Sequence, residues 1–216
     1  MTRDKYIKQL DEVKKLTVKM GNKAEELVNG SILALETQDA ELAQKIIDQD
    51  KEVDEMFLDL EKKVIKIIAT QAPVASDLRL LLTALKNATD VERVGDFSKD
   101  IAMVTIDLKD DKYFTKLIMI PKMAEITLKM VRESLQSFDE ENVPLAKAVH
   151  EEDDLVDEIF SRLFRTMTSF VMENPKNTNQ ALRLMLVARH LERIADHAVN
   201  IANRTVYLIE GKIEFI

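Results

Sequence analysis

The chain has 216 residues, with 31 Lys and Arg against 39 Asp and Glu for a formal net charge of −8, no Cys, no Trp, and only four Gly and four Pro. The missing cysteines rule out disulfides and any thiolate-ligated zinc or iron–sulfur centre, and the acidic balance argues against a nucleic-acid partner, which needs a basic surface. No apolar run approaches the roughly 18–20 residues that span a bilayer, and the opening MTRDKYIKQLDEVKK lacks an apolar signal segment, so a soluble, cytoplasmic protein is expected.

Scarce Gly and Pro leave little material for tight turns and favour long helices. Six are predicted, at 3–36, 39–71, 75–109, 114–138, 142–173 and 177–210. In the second, Val53, Phe57, Leu60, Val64 and Ile67 recur at three- and four-residue spacing; in the fifth, Val156, Phe160, Leu163, Met167 and Phe170 do the same. Breaks fall at ETQDAE, QAPVASD, KDDKYF, FDEENVP and NPKNTNQ. Pro73 and Pro175 mark one loop in two places, and Pro144 suits a first helical turn.

The chain repeats itself. DKEVDEMF from position 50 aligns with DDLVDEIF from 153, an offset of 103. VERVGDFSKDIA from 91 aligns with LERIADHAVNIA from 191, an offset of 100, so the connection before the third helix is expected to be shorter in the second copy. The expected fold is all-α: two tandem three-helix bundles of long antiparallel helices, related by internal duplication, over 1–110 and 111–216. A period near 100 is too long for a solenoid.

Both third helices carry acids where an apolar stripe should continue. Leu78, Leu81, Leu85 and Ala88 lead into Glu92 and Asp96; Met185 and Ala188 lead into Glu192 and Asp196. A separate stripe, Val91, Val94, Ile101 and Leu108, repeated as Leu191, Ile194, Ile201 and Leu208, can face the bundle core. Residues four apart share a helix face, and like charges there repel unless a cation compensates. The second helices add Asp50 with Asp54, and the fifth Asp153 with Asp157, at heights matching the acids opposite. Each bundle thus gathers four or five carboxylates, with Asp100 or Asn200 one turn on. Oxygen clusters suit hard cations such as Mg²⁺, Ca²⁺, Mn²⁺ or ferric iron. The competing explanation is ordinary ion pairing through Arg93 and Arg193. His150, His190 and His197 lack a Glu three residues before them and are expected at the surface. No phosphate-binding glycine loop, nucleophile elbow or HExxH occurs, so no catalytic residue is assigned.

Two E-R-[VI]-x-D strings on third helices, two D-x-x-V-D strings on second helices and the six-helix duplication together resemble the PhoU family over the whole chain. The resemblance implies multinuclear metal clusters, iron foremost with zinc, manganese or magnesium as alternatives, at the motif pairs Asp50–Asp54 and Glu92–Asp96 and at Asp153–Asp157 and Glu192–Asp196; the helical spacing adds Asp100 and Asn200 as candidate ligands. It implies negative regulation of phosphate uptake and phosphate-regulon signalling, by contact with the ATPase subunit of a phosphate ABC transporter and a sensor histidine kinase, reaching the membrane only through partners, and self-association as a homodimer or larger assembly. Departures between the copies, Gly95 against Ala195, Phe97 against His197 and Asp100 against Asn200, imply unequal ligand sets. A carboxylate-bridged metal enzyme acting on phosphoesters and a metal-free helical scaffold remain alternatives.

Overall fold

The computed structural model describes residues 3–211, which form six long helices: α1 (Arg3–Thr37), α2 (Ala40–Gln71), α3 (Ala75–Asp107), α4 (Met119–Glu140), α5 (Val143–Glu173) and α6 (Thr178–Glu210), with a 3₁₀ turn at Pro175–Asn177. There is no strand among the described residues. The duplication reaches the helix ends. Asp39 caps α2 by accepting from the Glu41 and Leu42 amides at 3.0 and 2.9 Å, and Asn142, its equivalent at an offset of 103, caps α5 by accepting from Leu145 at 3.0 Å. Each cap follows a left-handed residue, Gln38 and Glu141, both at φ 54°. Those residues reverse the chain so that α1 lies antiparallel to α2, and α4 to α5.

The stripes assigned to the core are buried as expected. Val53, Leu60, Val64 and Ile67 of α2 meet Val91, Val94 and Ile101 of α3 and the α1 face of Val13, Met20 and Leu27; Val156, Leu163, Leu191, Ile194 and Ile201 build the second copy with Met123 and Met130. The two bundles also share a seam. α1 packs on α4 and α3 packs on α6, so these four helices form a central square with α2 and α5 flanking it. Gly21 lies on this seam, where a Cβ would overlap the Leu135 side chain of α4, Cγ and Cδ2 lying 3.1 Å from it.

One sequence expectation changes. The fourth helix begins at Met119, five residues later than the periodic pattern indicated. The apolar pair Tyr113 and Phe114 anchors the connecting segment 108–118 and is not helical. The Tyr113 hydroxyl donates to the Leu35 carbonyl at 2.7 Å, and Phe114 packs edge-on against Phe170 with ring centroids 5.2 Å apart. Gln38 donates to the carbonyls of Leu108 and Asp111 at 2.8 and 2.7 Å, and Gln180 accepts from the Phe114 amide at 2.9 Å, so side chains from both bundles satisfy the segment's backbone. The connection before the third helix is shorter in the second copy, as expected: 72–74 separate α2 from α3, whereas Asn174 alone separates α5 from the 3₁₀ turn at Pro175–Asn177, which stands where the first three residues of α3 stand in the first copy.

Candidate metal centre

In the first bundle α2 and α3 bring Asp50, Asp54, Glu92 and Asp96 to one place. Asp50 is buried, at 3% exposure, and Asp54 lies one turn on at the surface. Burial, then the charge of Asp50, holds the Asp54 carboxyl above its usual range, opposed by Lys99, with a smaller upward contribution from Asp96. Burial, then Asp96, raises Glu92, with smaller contributions from Asp54 and Asp50. A cation already sits among these acids. The Lys99 ammonium donates to Asp50 Oδ2 at 2.5 Å and to Asp96 Oδ1 at 3.0 Å. Burial alone would lower the Lys99 pKa, but the two hydrogen bonds outweigh it and hold the group charged well above its ordinary value. Arg93 NH1 takes the other Asp96 oxygen at 3.1 Å, and its Nε lies 3.6 Å from Glu92, so the ion pairing anticipated for Arg93 is present.

Asp100 does not join this group. It turns to the seam, its Oδ2 3.9 Å from His190 Nδ1, and lines a groove of about 450 Å³ with Met103, Asp107, Arg183 and Leu186.

The second bundle places Asp153, Asp157, Glu192 and Asp196 equivalently on α5 and α6. Burial raises the Asp153 carboxyl, followed by the charges of Asp157 and Asp196. Burial also raises Glu192, followed by Asp196, with Arg189 opposing. Arg189, and not Arg193, makes the direct contact, at 2.5 Å to Glu192 Oε1. Glu192 Oε2 is buried with no hydrogen-bond partner, and where the first copy has Lys99 the second has Val199. Asp157, Asp196 and Asn200 are exposed.

Among the described residues no three His, Asp or Glu side chains converge tightly enough to hold a metal ion as they stand. The two clusters nonetheless differ in fit. The second is a set of hard oxygen donors with an orphaned buried carboxylate oxygen and two exposed aspartates able to turn inward, and it suits a hard cation. The first has its buried carboxylate committed to an ammonium and does not suit one.

Glu192 gives this arrangement a pH signature. Its folded-state pKa lies above the ordinary 4.5, so the proton is held more tightly in the folded than in the unfolded chain. The stability it contributes is fully present below the ordinary value and lost as pH rises through the raised one. Metal-free Glu192→Gln is expected to melt above the parent at pH 7, the difference closing toward pH 4. Melting curves in chelator across that range check this; a gap that does not narrow on acidification would show that the carboxylate is not strained.

The histidines expected at the surface are instead half-buried. His197 and His190 flank Phe97 at the α3–α6 seam, centroids 5.7 and 5.6 Å away, and His150 Nε2 lies 3.0 Å from Asn203 Oδ1. Burial lowers the pKa of both His190 and His197. His197 Nδ1 lies 2.8 Å from Asp90 Oδ1, and Arg204 pairs with the other Asp90 oxygen. Asp90, Arg204 and Lys99 were not singled out in the sequence. The one signal available for Lys99 was the exchange with Val199 inside an otherwise close repeat.

The PhoU domain family model matches residues 17–105 and 120–205, most of the chain in two tandem copies. The chain belongs to the PhoU family. Relatives named as phosphate-specific transport system accessory protein PhoU homologs are 39% identical in Aquifex aeolicus, over 97% of this chain and 95% of that protein, and 36% identical in Clostridium acetobutylicum, over 98% and 97%. The crystal structure of PhoU from Pseudomonas aeruginosa superposes with a TM-score of 0.92 at 31% identity, covering 96% of this chain and 100% of that one. A phosphate transport system regulatory PhoU from Streptococcus pneumoniae superposes at 0.90 and 25% identity, covering 98% and 100%. The PhoU fold is therefore present over its full length. No helix of the described residues is long and apolar enough to cross a membrane.

Proposed function

We infer that this chain is a negative regulator of phosphate uptake and phosphate-regulon signalling. It works as a non-catalytic cytoplasmic adaptor, a homodimer or larger assembly that contacts the ATPase subunit of a phosphate ABC transporter and a sensor histidine kinase. The observation that carries this reading is the full-length match to two PhoU domains, with relatives of the same extent named as accessory proteins of phosphate-specific transport. Deleting the gene should leave phosphate uptake and regulon expression high in rich phosphate, and the intact gene should restore repression. Normal repression in the deletion strain would end the regulatory reading.

The adaptor carries a hard cation at its second cluster, where Asp153, Asp157, Glu192 and Asp196 would hold it, with Asn200 one turn on; iron comes first, then zinc, manganese or magnesium. The orphaned Glu192 Oε2 and the hard donor set support this. A bound cation supplies positive charge that relieves repulsion between the acids. Binding to the folded state alone stabilises by about 2.7 kcal/mol at a hundredfold excess over Kd. Mn²⁺ should therefore raise the melting temperature of the parent and leave Asp153→Asn combined with Asp196→Asn nearly unmoved. If the parent shows no shift and no metal copurifies, the chain is a metal-free scaffold.

A further inference from the structure

The duplicated acid clusters differ at two positions that act together. Lys99 of the first copy is Val199 in the second, and Gly95 is Ala195. At Gly95 a Cβ would come within 2.9 Å of Asp50 Oδ1 and 3.5 Å of Val53 Cγ1, so glycine leaves room for the Asp50 carboxylate to press against α3. There it meets the Lys99 ammonium at 2.5 Å, while Asp96 closes on the same nitrogen at 3.0 Å. In the second copy the Ala195 methyl occupies the equivalent position, Asp153 is only half-buried, and the residue at the Lys99 position is the apolar Val199.

We propose that Lys99 is a covalently attached counter-cation that takes the place of a metal ion in the first bundle, and so restricts metal binding to the second. The chemistry is competition for lone pairs. Asp50 and Asp96 have each given an oxygen to the ammonium, and Arg93 occupies the remaining Asp96 oxygen. A divalent ion entering there must displace both hydrogen bonds and then sit beside a displaced, partly exposed ammonium that its tether keeps close. Like charges at about 4 Å in a protein-like dielectric weaken binding by well over tenfold. The second cluster has no such tether, and its nearest arginine contact, from Arg189, leaves Glu192 Oε2 without a partner. A duplicated pair of sites thereby becomes one site with a built-in counter-cation and one responsive site. The assignment of Lys99 rests on the metal reading of the second cluster only for its second half.

Exchange of the two residues tests it. Mn²⁺ bound per chain is measured by equilibrium dialysis on the full chain, alongside melting curves in chelator and in Mn²⁺. In the parent, binding should be lost with Asp153→Asn plus Asp196→Asn and unaffected by Asp54→Asn plus Glu92→Gln. Lys99→Val should lower the melting temperature in chelator, because Asp50 loses its partner. It should also gain Mn²⁺ binding that disappears when Asp54→Asn and Glu92→Gln are added. Val199→Lys, at a half-buried position, should weaken Mn²⁺ binding at the second cluster at least tenfold; it carries the test alone if Lys99→Val does not fold. Parent binding that depends on Glu92 and Asp54 would overturn the proposal, as would undiminished binding in Val199→Lys. If the parent binds at the second cluster and a folded Lys99→Val gains nothing, Lys99 is not the gate although the metal reading stands. Binding by Lys99→Val alone, with none in the parent, would uphold Lys99 and remove the metal from the second cluster.

Discussion

Asp90→Ala is expected to lower the unfolding free energy by about 3 kcal/mol, the cost of leaving a buried charge without its partner. Asp90 is 5% exposed on α3, and both its partners come from α6 across the seam. Burial lowers the His197 pKa, so at neutral pH the ring is uncharged and must carry its proton on Nδ1 to donate to Asp90. Arg204 cannot shed its charge. Without Asp90 it keeps one described hydrogen bond, to the Lys86 carbonyl at 3.0 Å, in a setting where burial already lowers its pKa. For a chain of this size the loss corresponds to a melting temperature about 6–12 °C lower. Adding Arg204→Met should recover part of it, because two apolar groups need no mutual neutralisation. A single variant within 1 kcal/mol of the parent by denaturant titration would show that the pair is already solvated (about the worth of a surface ion pair).

Gly21→Val should cost about 2 kcal/mol. Valine is a slightly better helix former than glycine, a gain of a few tenths of a kcal/mol. Against that, overfilling a packed contact costs about 1–3 kcal/mol, and here the Leu135 side chain already fills the space a Cβ would need. Turning the Leu135 end group would not clear the contact, since Cγ itself lies only 3.1 Å away. Trimming Leu135 to Ala leaves a cavity on its own, so Gly21→Val with Leu135→Ala should lose clearly less than the sum of the two. Additive losses would mean that the two positions do not share one space.

The helices were legible because their apolar stripes recur at regular three- and four-residue spacing, broken at polar stretches such as ETQDAE and FDEENVP. The start of α4 was misplaced for the opposite reason. Tyr113 and Phe114 extend the apolar period backward, yet they are spent on pinning a connecting segment, and periodicity does not distinguish those uses. The acids of the candidate site stood out because they interrupt an apolar stripe at the same depth twice. Lys99 did not. Three residues from Asp96 it resembles any solvated helical pair, and its partner Asp50 is forty-nine residues away on another helix. The seam residues Asp90, His197 and Arg204 were equally hidden, since the pattern within one helix gives its buried face and leaves open which other bundle that face meets.

The segment 108–118 has a consequence for how the halves can separate. A free linker of this length would be a soft tether, holding one bundle near the other at a high effective concentration over a broad range of separations. Here Gln38 grips it from the first half, Gln180 grips it from the second, and Tyr113 is bonded back to Leu35. A grip from both sides leaves the tether almost no slack. Parting the seam would therefore require releasing those bonds in the same step, which makes the two halves a single cooperative unit and not two beads on a string.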